Sequence, residues 1–244
     1  YAGQALRCGS SFTPASFGPD SVWSFEVGAK NQLFDRRLHL DVSLFDIQWN
    51  GIQERVQDSC GNSFTTNAGA ARSTGFDLAA EALMTERFHM ALAVGYVDVR
   101  YTRTLRTADG QMIVERGAVV GGVPSVPAPW SGTVSAHYEW PLADITTAYL
   151  RAEEIVHSHN PGPFTELDTR SPSYDPRLTA DPATYLLNLQ LGLTWPSVNV
   201  RIFVNNVTNT QPLLQRYSDA PGSALVYAYS LRPRTVGLMG NWSF

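Results

Sequence analysis

The feature that most constrains this chain is a period of two in its hydrophobic residues. From 183 to 195, Tyr185, Leu187, Leu189, Leu191, Leu193 and Trp195 alternate with Leu186, Asn188, Gln190, Gly192 and Thr194. Successive side chains of a β-strand point to opposite faces, so one face of this segment is apolar throughout and the other polar or small. The pattern recurs at Phe76, Leu78, Ala80 and Ala82, at Phe88, Met90, Leu92, Val94 and Tyr96, and at Val134, Ala136, Tyr138 and Trp140. Val198, Val200, Ile202 and Val204 repeat it, and Val236, Leu238, Gly240, Trp242 and Phe244 close the chain with it. Two segments change step. Leu38, Leu40, Val42 and Leu44 give way to Phe45, Ile47 and Trp49, and Tyr96 gives way to Val97, Val99 and Tyr101. Each slip implies a bulge or a change of surroundings.

The connections sort strictly. Short ones lie between Gln32 and Arg37, at 84–87, at 141–144 and at 196–197, while long ones run over 50–68, 103–128, 158–182 and 207–228, besides the stretch 1–20. Strict alternation puts all short turns at one end of the strands and all long loops at the other, which is the layout of a transmembrane β-barrel. Aromatic residues fit that layout. Phe34, Phe88, Trp140, Trp195, Trp242 and Phe244 fall at the short-turn end, and Trp49, Tyr96, Tyr101, Trp130 and Tyr229 near the long-loop end, as two interfacial girdles. The expected fold is therefore an all-β, antiparallel transmembrane barrel wall of about nine strands, near 21–32, 37–49, 70–83, 87–102, 129–140, 145–157, 183–195, 198–206 and 229–244.

Composition agrees. Charged residues make only 16% of the 244 residues, against roughly 25% in a soluble domain. With 18 Lys+Arg and 22 Asp+Glu the formal charge is -4, which gives no electrostatic footprint for nucleic acid. No apolar run is long enough for a transmembrane helix. The chain opens at Tyr1 without a leader, as a processed protein or a fragment does. Nine strands are an odd number. Bacterial barrels keep both termini on the periplasmic side, so at least one further strand is expected before Tyr1, and an open edge in lipid leaves unpaired backbone groups that each cost several kcal/mol.

The wording of the strands resembles a known family. Ser21-Val-Trp-Ser-Phe-Glu26-Val-Gly28-Ala-Lys30 followed by Arg37-Leu-His-Leu and Leu44-Phe45-Asp-Ile-Gln-Trp49-Asn-Gly-Ile52-Gln is similar to a mid-barrel hairpin of TonB-dependent outer-membrane receptors. So are Asn67-Ala-Gly69-Ala-Ala-Arg-Ser-Thr-Gly75-Phe-Asp77, Val123-Pro124-Ser-Val-Pro127, Leu187-Asn188-Leu-Gln-Leu-Gly192-Leu and Val204-Asn205-Asn206-Val-Thr208-Asn209. The end, Arg232-Pro233-Arg-Thr-Val-Gly237-Leu-Met-Gly-Asn-Trp242-Ser-Phe244, resembles the family's closing strand. The resemblance implies that residues 1–244 are the C-terminal portion of a 22-stranded barrel in the bacterial outer membrane, with a plug domain and a TonB-binding box outside this chain. It implies active import of a scarce solute (a siderophore, a vitamin or an oligosaccharide) with TonB-derived energy. Outer-membrane lipid and the barrel-assembly machinery are the further partners, the latter reading Trp242 and Phe244, with Gly237 letting backbones approach closely.

Chemistry is sparse. No nucleophile elbow, phosphate-binding loop, zinc-protease helix or dinucleotide fingerprint occurs, so the expectation is a protein that is not an enzyme and needs no cofactor. His157-Ser-His159 places two imidazoles on one strand face without a third ligand, so no metal site is expected, and the adjacent Glu153 and Glu154 point to opposite faces. The glycosylation sequons at Asn206 and Asn241 carry no meaning in a bacterial barrel. Cys8 and Cys60 lie in outer loops in an oxidising compartment, where they either bridge or stay as two thiols. In receptors of this kind outer loops bind the solute, which makes Arg103, Arg106, His157, His159, Tyr174, Arg177, Arg216 and Tyr217 the candidate ligand-binding residues. Arginine offers a planar fork to carboxylates or phosphates. Two other functions fit the periodicity: a passive porin-like channel, and a soluble β-sandwich binding module whose apolar faces meet each other.

Overall fold

The computed structural model describes residues 16–57, 63–67, 69–106, 110, 112–121, 127–171, 174–218 and 223–243. In chain order its strands are β1 (Ser21–Leu33), β2 (Leu38–Asn50), β3 (Gln53–Gln57), β4 (Ser63–Asn67), β5 (Ala70–Thr85), β6 (Phe88–Tyr101), β7 (Leu105–Arg106), β8 (Met112–Val114), β9 (Trp130–Ala143), β10 (Thr146–His157), β11 (Thr184–Thr194), β12 (Val198–Asn205), β13 (Leu213–Ser218), β14 (Val226–Ser230) and β15 (Thr235–Trp242). Nine of them form one antiparallel sheet in the order β1-β2-β5-β6-β9-β10-β11-β12-β15. Every step but β6–β9, β10–β11 and the other long connections is a tight turn. In the first, Phe34, Asp35 and Arg36 take positive φ and Arg37 N–H donates to the Phe34 carbonyl at 3.0 Å.

Among the described residues no second sheet covers the apolar face. Among the described residues the other sheets are three two-stranded hairpins, β3–β4, β7–β8 and β13–β14, all in the long loops. Cross-strand register puts Val27, Leu44, Phe76, Tyr96 and Trp130 in one row, and Leu150, Leu191, Ile202 and Leu238 in another, on the same face of the sheet. Most of those residues stay open, Phe76 and Tyr96 being half-buried: Val27 is 67% exposed, Leu191 52% and Leu238 72%. A soluble sandwich would bury them; a single-layered wall turns them to acyl chains. The concave face carries Glu26, Lys30, Asp41, Ser43, Asp77, Ser131 and Thr133 instead.

The two slips in period have a common cause. Registers of β2 with β1 and β5, and of β6 with β5 above Leu83, run without a bulge, so the surroundings change and the pairing does not. Beyond Leu44 and Tyr96 the outward face becomes charged, with an ion pair of Arg72 and Asp46 and another of Arg100 Nε to Asp98 Oδ1 at 2.7 Å. The inward face becomes apolar because the outer loops fold onto it. Ile52, Ala71, Tyr101, Val114 and Ala118 form a buried cluster with Trp49 against it.

That corrects the long-loop girdle. Trp49 and Tyr101 lie on the inward face, Tyr101 in the loop core and Trp49 with its Nε1 donating to Asp20 Oδ2 at 2.7 Å, while Tyr229 sits on the β13–β14 hairpin. Trp23, Phe25, Phe76, Tyr96 and Trp130 are the outward rings at that level; Tyr96 and Trp130 pack at 4.8 Å between centroids. The short-turn girdle keeps Phe88, Trp140 and Trp242, joined by Tyr138, which meets Phe88 and Trp140. Phe244 lies outside the described residues.

Strand bounds differ in two places. The segment 229–244 is not one strand: β14 ends at Ser230 in the outer hairpin and β15 begins at Thr235, because Pro233 has no N–H to give a ladder. Strand β9 runs on through Pro141 to Ala143, with a register shift against Thr146/Thr147 that lets the proline sit at an irregularity. Gly237 also serves another contact than expected. Phe203, its direct partner on β12, lays its ring across the position a Cβ would fill, so a ring and not a second backbone makes the close approach. Tyr149 covers Gly192 in the same way.

Candidate ligand-binding site in the lumen and outer loops

Two concavities lie on the inward face. One, of about 740 Å³, is lined by Glu26, Lys30, Asp41, Asp77, Ser131 and His157, and Lys30 Nζ stands 3.5 Å from Asp41. The other, of about 430 Å³ at the short-turn end, is lined by Arg36, Arg37, His39, Glu81, His137 and Arg151. Period-two alternation creates both: every second residue of a wall strand must face inward, and without a second sheet it stays polar. His137 Nε2 lies 2.8 Å from Glu139, and Arg151 2.9 Å from Glu153. Glu154 takes the opposite face from Glu153, as expected of neighbours on a strand.

A third cleft, of about 630 Å³, opens between outer segments 112–118 and 159–180, with Glu115, His159, Asn160, Phe164, Asp168 and Leu178 in its lining. The two segments are fastened to the wall. Residues 117–120 extend the ladder of β6, with Tyr101 N–H donating to the Ala118 carbonyl at 2.9 Å and Gly117 N–H to the Tyr101 carbonyl at 2.8 Å. Arg100 Nη1 donates to the Gly117 and Gly162 carbonyls at 3.0 and 3.2 Å, holding both loops at once.

Within 158–182 one local device occurs twice. Asp168 accepts from Arg170 N–H at 2.9 Å and from its Nε at 3.0 Å; Asp175 accepts from Arg177 N–H at 3.0 Å and from its Nε at 2.8 Å. An aspartate that bonds the backbone two residues on makes an Asx turn, and the guanidinium closes it. The fork of Arg170 holds the Asp168 carboxyl down at about 2, and that of Arg177 holds Asp175 well below the usual carboxylate range. Arg170 also pairs with Glu115 across the cleft. Asp175, 3% exposed, also accepts from the Ser218 hydroxyl at 3.0 Å, and Arg177 donates to the Ser223 carbonyl, so this turn ties loop 158–182 to loop 207–234.

The candidate residues divide accordingly. His157 ends β10 at the larger concavity, 3.4 Å from Thr184 Oγ1. His159 lies beyond the strand, with Nδ1 2.8 Å from the Asp181 carbonyl, and lines the outer cleft. The two imidazoles thus belong to different cavities. Arg177 is spent on Asp175 and Ser223, and Arg106 Nη1 donates to the Gly110 carbonyl at 3.1 Å. Arg103 is exposed, Tyr174 half-buried, and Arg216 and Tyr217 lie together on β13. Cys8 and Cys60 fall outside the described residues. Sequence reading missed Asp168, Asp175, Asp181 and Tyr227, although the repeated Asp-x-Arg spacing was there to be seen.

The family model for the TonB dependent receptor-like β-barrel matches residues 3–209. The metal-pseudopaline receptor CntO of Pseudomonas aeruginosa (strain UCBPP-PA14) is 27% identical over 106 residues, 43% of this chain and 15% of the receptor. The crystal structure of the ferric yersiniabactin uptake receptor FyuA from Yersinia pestis matches with a TM-score of 0.66 at 16% identity, covering 92% of this chain and 30% of that one. The FrpB iron transporter from Neisseria meningitidis (F3-3 variant) matches with a TM-score of 0.64 at 16% identity, covering 96% and 32%. The chain thus spans about a third of the length of these solved receptors and less of CntO. A single-layered wall, apolar outside and polar inside, under a family match over most of its residues, belongs to the TonB-dependent receptor family as part of its outer-membrane β-barrel.

Proposed function

We propose that the protein containing this chain imports a scarce solute across the outer membrane, namely a metal held in an organic chelate, with energy delivered by TonB. The observation that carries this reading is the polar inward face roofed by folded outer loops, in a chain of this family. The choice of a chelated metal over a vitamin or an oligosaccharide rests on the names of its relatives, among them a metal-pseudopaline receptor and a ferric yersiniabactin uptake receptor. Solute would meet Arg103, Tyr174, Arg216, Tyr217 and His159 on the loops before His157 at the head of the lumen. Arg106 and Arg177 are better read as loop anchors. Trp242 and Phe244 would be read by the barrel-assembly machinery, and the outward apolar rows would meet lipid.

Uptake of radiolabelled iron chelates by cells with and without the full-length gene tests this. Import that depends on the gene and stops on loss of TonB is the expected result. Gene-dependent entry indifferent to TonB would establish a passive channel instead, and growth defects confined to vitamins or oligosaccharides would move the substrate class.

A further inference from the structure

His159 stands on backbone that is fixed on both sides. Ser158 N–H donates to the Trp130 carbonyl at 2.9 Å, and its Oγ accepts from Trp130 N–H at 3.0 Å. Asn160, 8% exposed, donates its amide to the Pro127 carbonyl at 2.8 Å and accepts from Gly162 N–H at 3.0 Å. Between these two anchors the His159 ring turns Nδ1 to the Asp181 carbonyl at 2.8 Å. Asp181 is held in turn, because its Oδ1 accepts from Gln215 N–H at 2.7 Å.

A carbonyl oxygen only accepts, so the proton of the His159–Asp181 bond sits on Nδ1. In the uncharged ring Nε2 then keeps its lone pair, and among the described residues nothing bonds to it. A backbone carbonyl behind Nδ1–H is the setting that orients histidine as a metal ligand: it fixes the tautomer and the ring direction and raises the basicity of the other nitrogen. Two other histidines are placed differently. His137 has Nε2 on Glu139, and His157 has Nδ1 on the Thr184 hydroxyl, which donates or accepts and so fixes no tautomer.

His159 lines the outer cleft of about 630 Å³, a space of ligand size. Met112, Ala118, Phe164 and Leu178 give that cleft buried apolar walls, while Glu115 and Asp168 in its lining are both taken by Arg170. Among the described residues no three His, Cys, Asp or Glu side chains come together to hold a metal ion, so His159 offers a single nitrogen. One nitrogen suits a metal that arrives with most of its shell filled by a carrier and one position held by water. Imidazole is a good ligand for copper, nickel and zinc; a ferric ion wrapped by six oxygens has no place for it. We propose that Nε2 of His159 is a ligand to the metal of an incoming chelate, selecting divalent copper, nickel or zinc in a chelator that leaves a coordination position open. On docking, water leaves that position and the Nε2 lone pair takes it, with no electron or proton exchanged. This rests on the import reading above and narrows its solute class.

Full-length receptor without a histidine tag, in detergent, is tested with copper(II) nitrilotriacetate, which leaves positions open, and with copper(II) ethylenediaminetetraacetate, which fills them. The first is expected to bind in equilibrium dialysis and to show the electron-spin-echo modulation of a copper-bound imidazole; the second is not. His159→Ala and His159→Gln should each remove the modulation and weaken binding about tenfold or more, the loss that follows removal of even an outer partner of a metal ligand. His89→Ala, on the inner face of β6, should change neither. Heat-modifiable mobility on gels confirms that each variant barrel is folded. Equal binding of the two complexes, or modulation that persists in the His159 variants, overturns the proposal. A receptor that imports ferric chelates with a filled shell, and takes up copper or nickel chelates no faster than its His159→Ala variant does, keeps the import reading and overturns this one. Coordination by His159 in the purified receptor without gene-dependent uptake of any chelate supports the ligand and overturns import alone.

Discussion

At the scale of single residues, Asn206 shows how much one buried side chain can organise. It is 2% exposed, takes a positive φ of 54°, and its amide donates to the Thr210 and Arg232 carbonyls at 2.9 Å each. Its Oδ1 accepts from Thr210 N–H at 2.9 Å, and its own N–H donates to Asn188 Oδ1 at 3.0 Å. The outer loop therefore leaves β12 and returns to β15 through one knot. Asparagine tolerates the left-handed region better than other L residues with a Cβ, and its amide serves donors and acceptors together. Asn206→Ala strands buried carbonyls and keeps the strained backbone, so we expect a loss of roughly 2–4 kcal/mol in urea titration of the full receptor. Asn206→Asp, which keeps the acceptor but turns a buried carboxylate oxygen onto the Thr210 and Arg232 carbonyls, should cost at least as much. Gly237 makes the opposite demand, for emptiness. A Cβ there would collide with the Phe203 ring, so Gly237→Val should destabilise the β12–β15 seam, and pairing it with Phe203→Ala should recover part of the loss; additivity of the two would remove the ring-over-glycine contact as the cause.

At the scale of elements, legibility followed from what each element faces. The wall strands were readable because a two-sided environment writes a two-residue period, and eight of the nine appear in the sheet close to the expected positions, the last being shortened to Thr235–Trp242. The period failed where its cause failed. Above Leu44 and Tyr96 the lipid and the lumen are replaced by water and by loops, so Trp49 and Tyr101 were read onto the wrong face. The hairpins β3–β4, β7–β8 and β13–β14 were unreadable because they lie in the long loops, outside the two-sided wall that writes the period. The Asp-x-Arg turns bear a pH prediction at this scale. Asp168 titrates at about 2 in the folded loop and Asp175 also sits low, against roughly 3.9 for an unfolded aspartate. Lowered folded values contribute stability that is complete above the unfolded value and fades as pH falls through the folded one. Protection of the amides across 158–182, meaning exchange corrected for its intrinsic pH dependence, should therefore be unchanged between pH 8 and 5 and fall below about pH 4, and Asp175→Asn should lower protection at pH 7 while flattening its acid dependence. Loosening that begins near neutrality would assign the braces to some other group.

At the scale of the whole molecule everything depends on which side of one sheet meets lipid. Leu191 and Gln190 are neighbours on β11, an interior strand of the wall, paired in register with Leu150 and Arg151 on one side and with Ile202 and Phe203 on the other. They differ only in the face they take: Leu191 is 52% exposed on the apolar face, and Gln190 lies half-buried on the inward one. Propensity, strand position and backbone bonding are shared, so a charge placed at each in turn isolates the surroundings. Leu191→Arg puts a guanidinium among acyl chains near mid-strand and should cost roughly 2–4 kcal/mol when the full receptor folds into vesicles from urea. Gln190→Arg, beside Arg151 in a polar, hydrated lumen, should cost under about 1 kcal/mol, mostly like-charge repulsion across the pair. Moving to a soluble sandwich would reverse neither number but would abolish the dependence on lipid: Leu191→Arg would then be equally damaging in vesicles of thick and thin acyl chains. In a lipid-facing wall the penalty instead shrinks as the bilayer thins and the side chain reaches the headgroups, because the cost of a charge on this face falls toward the interface.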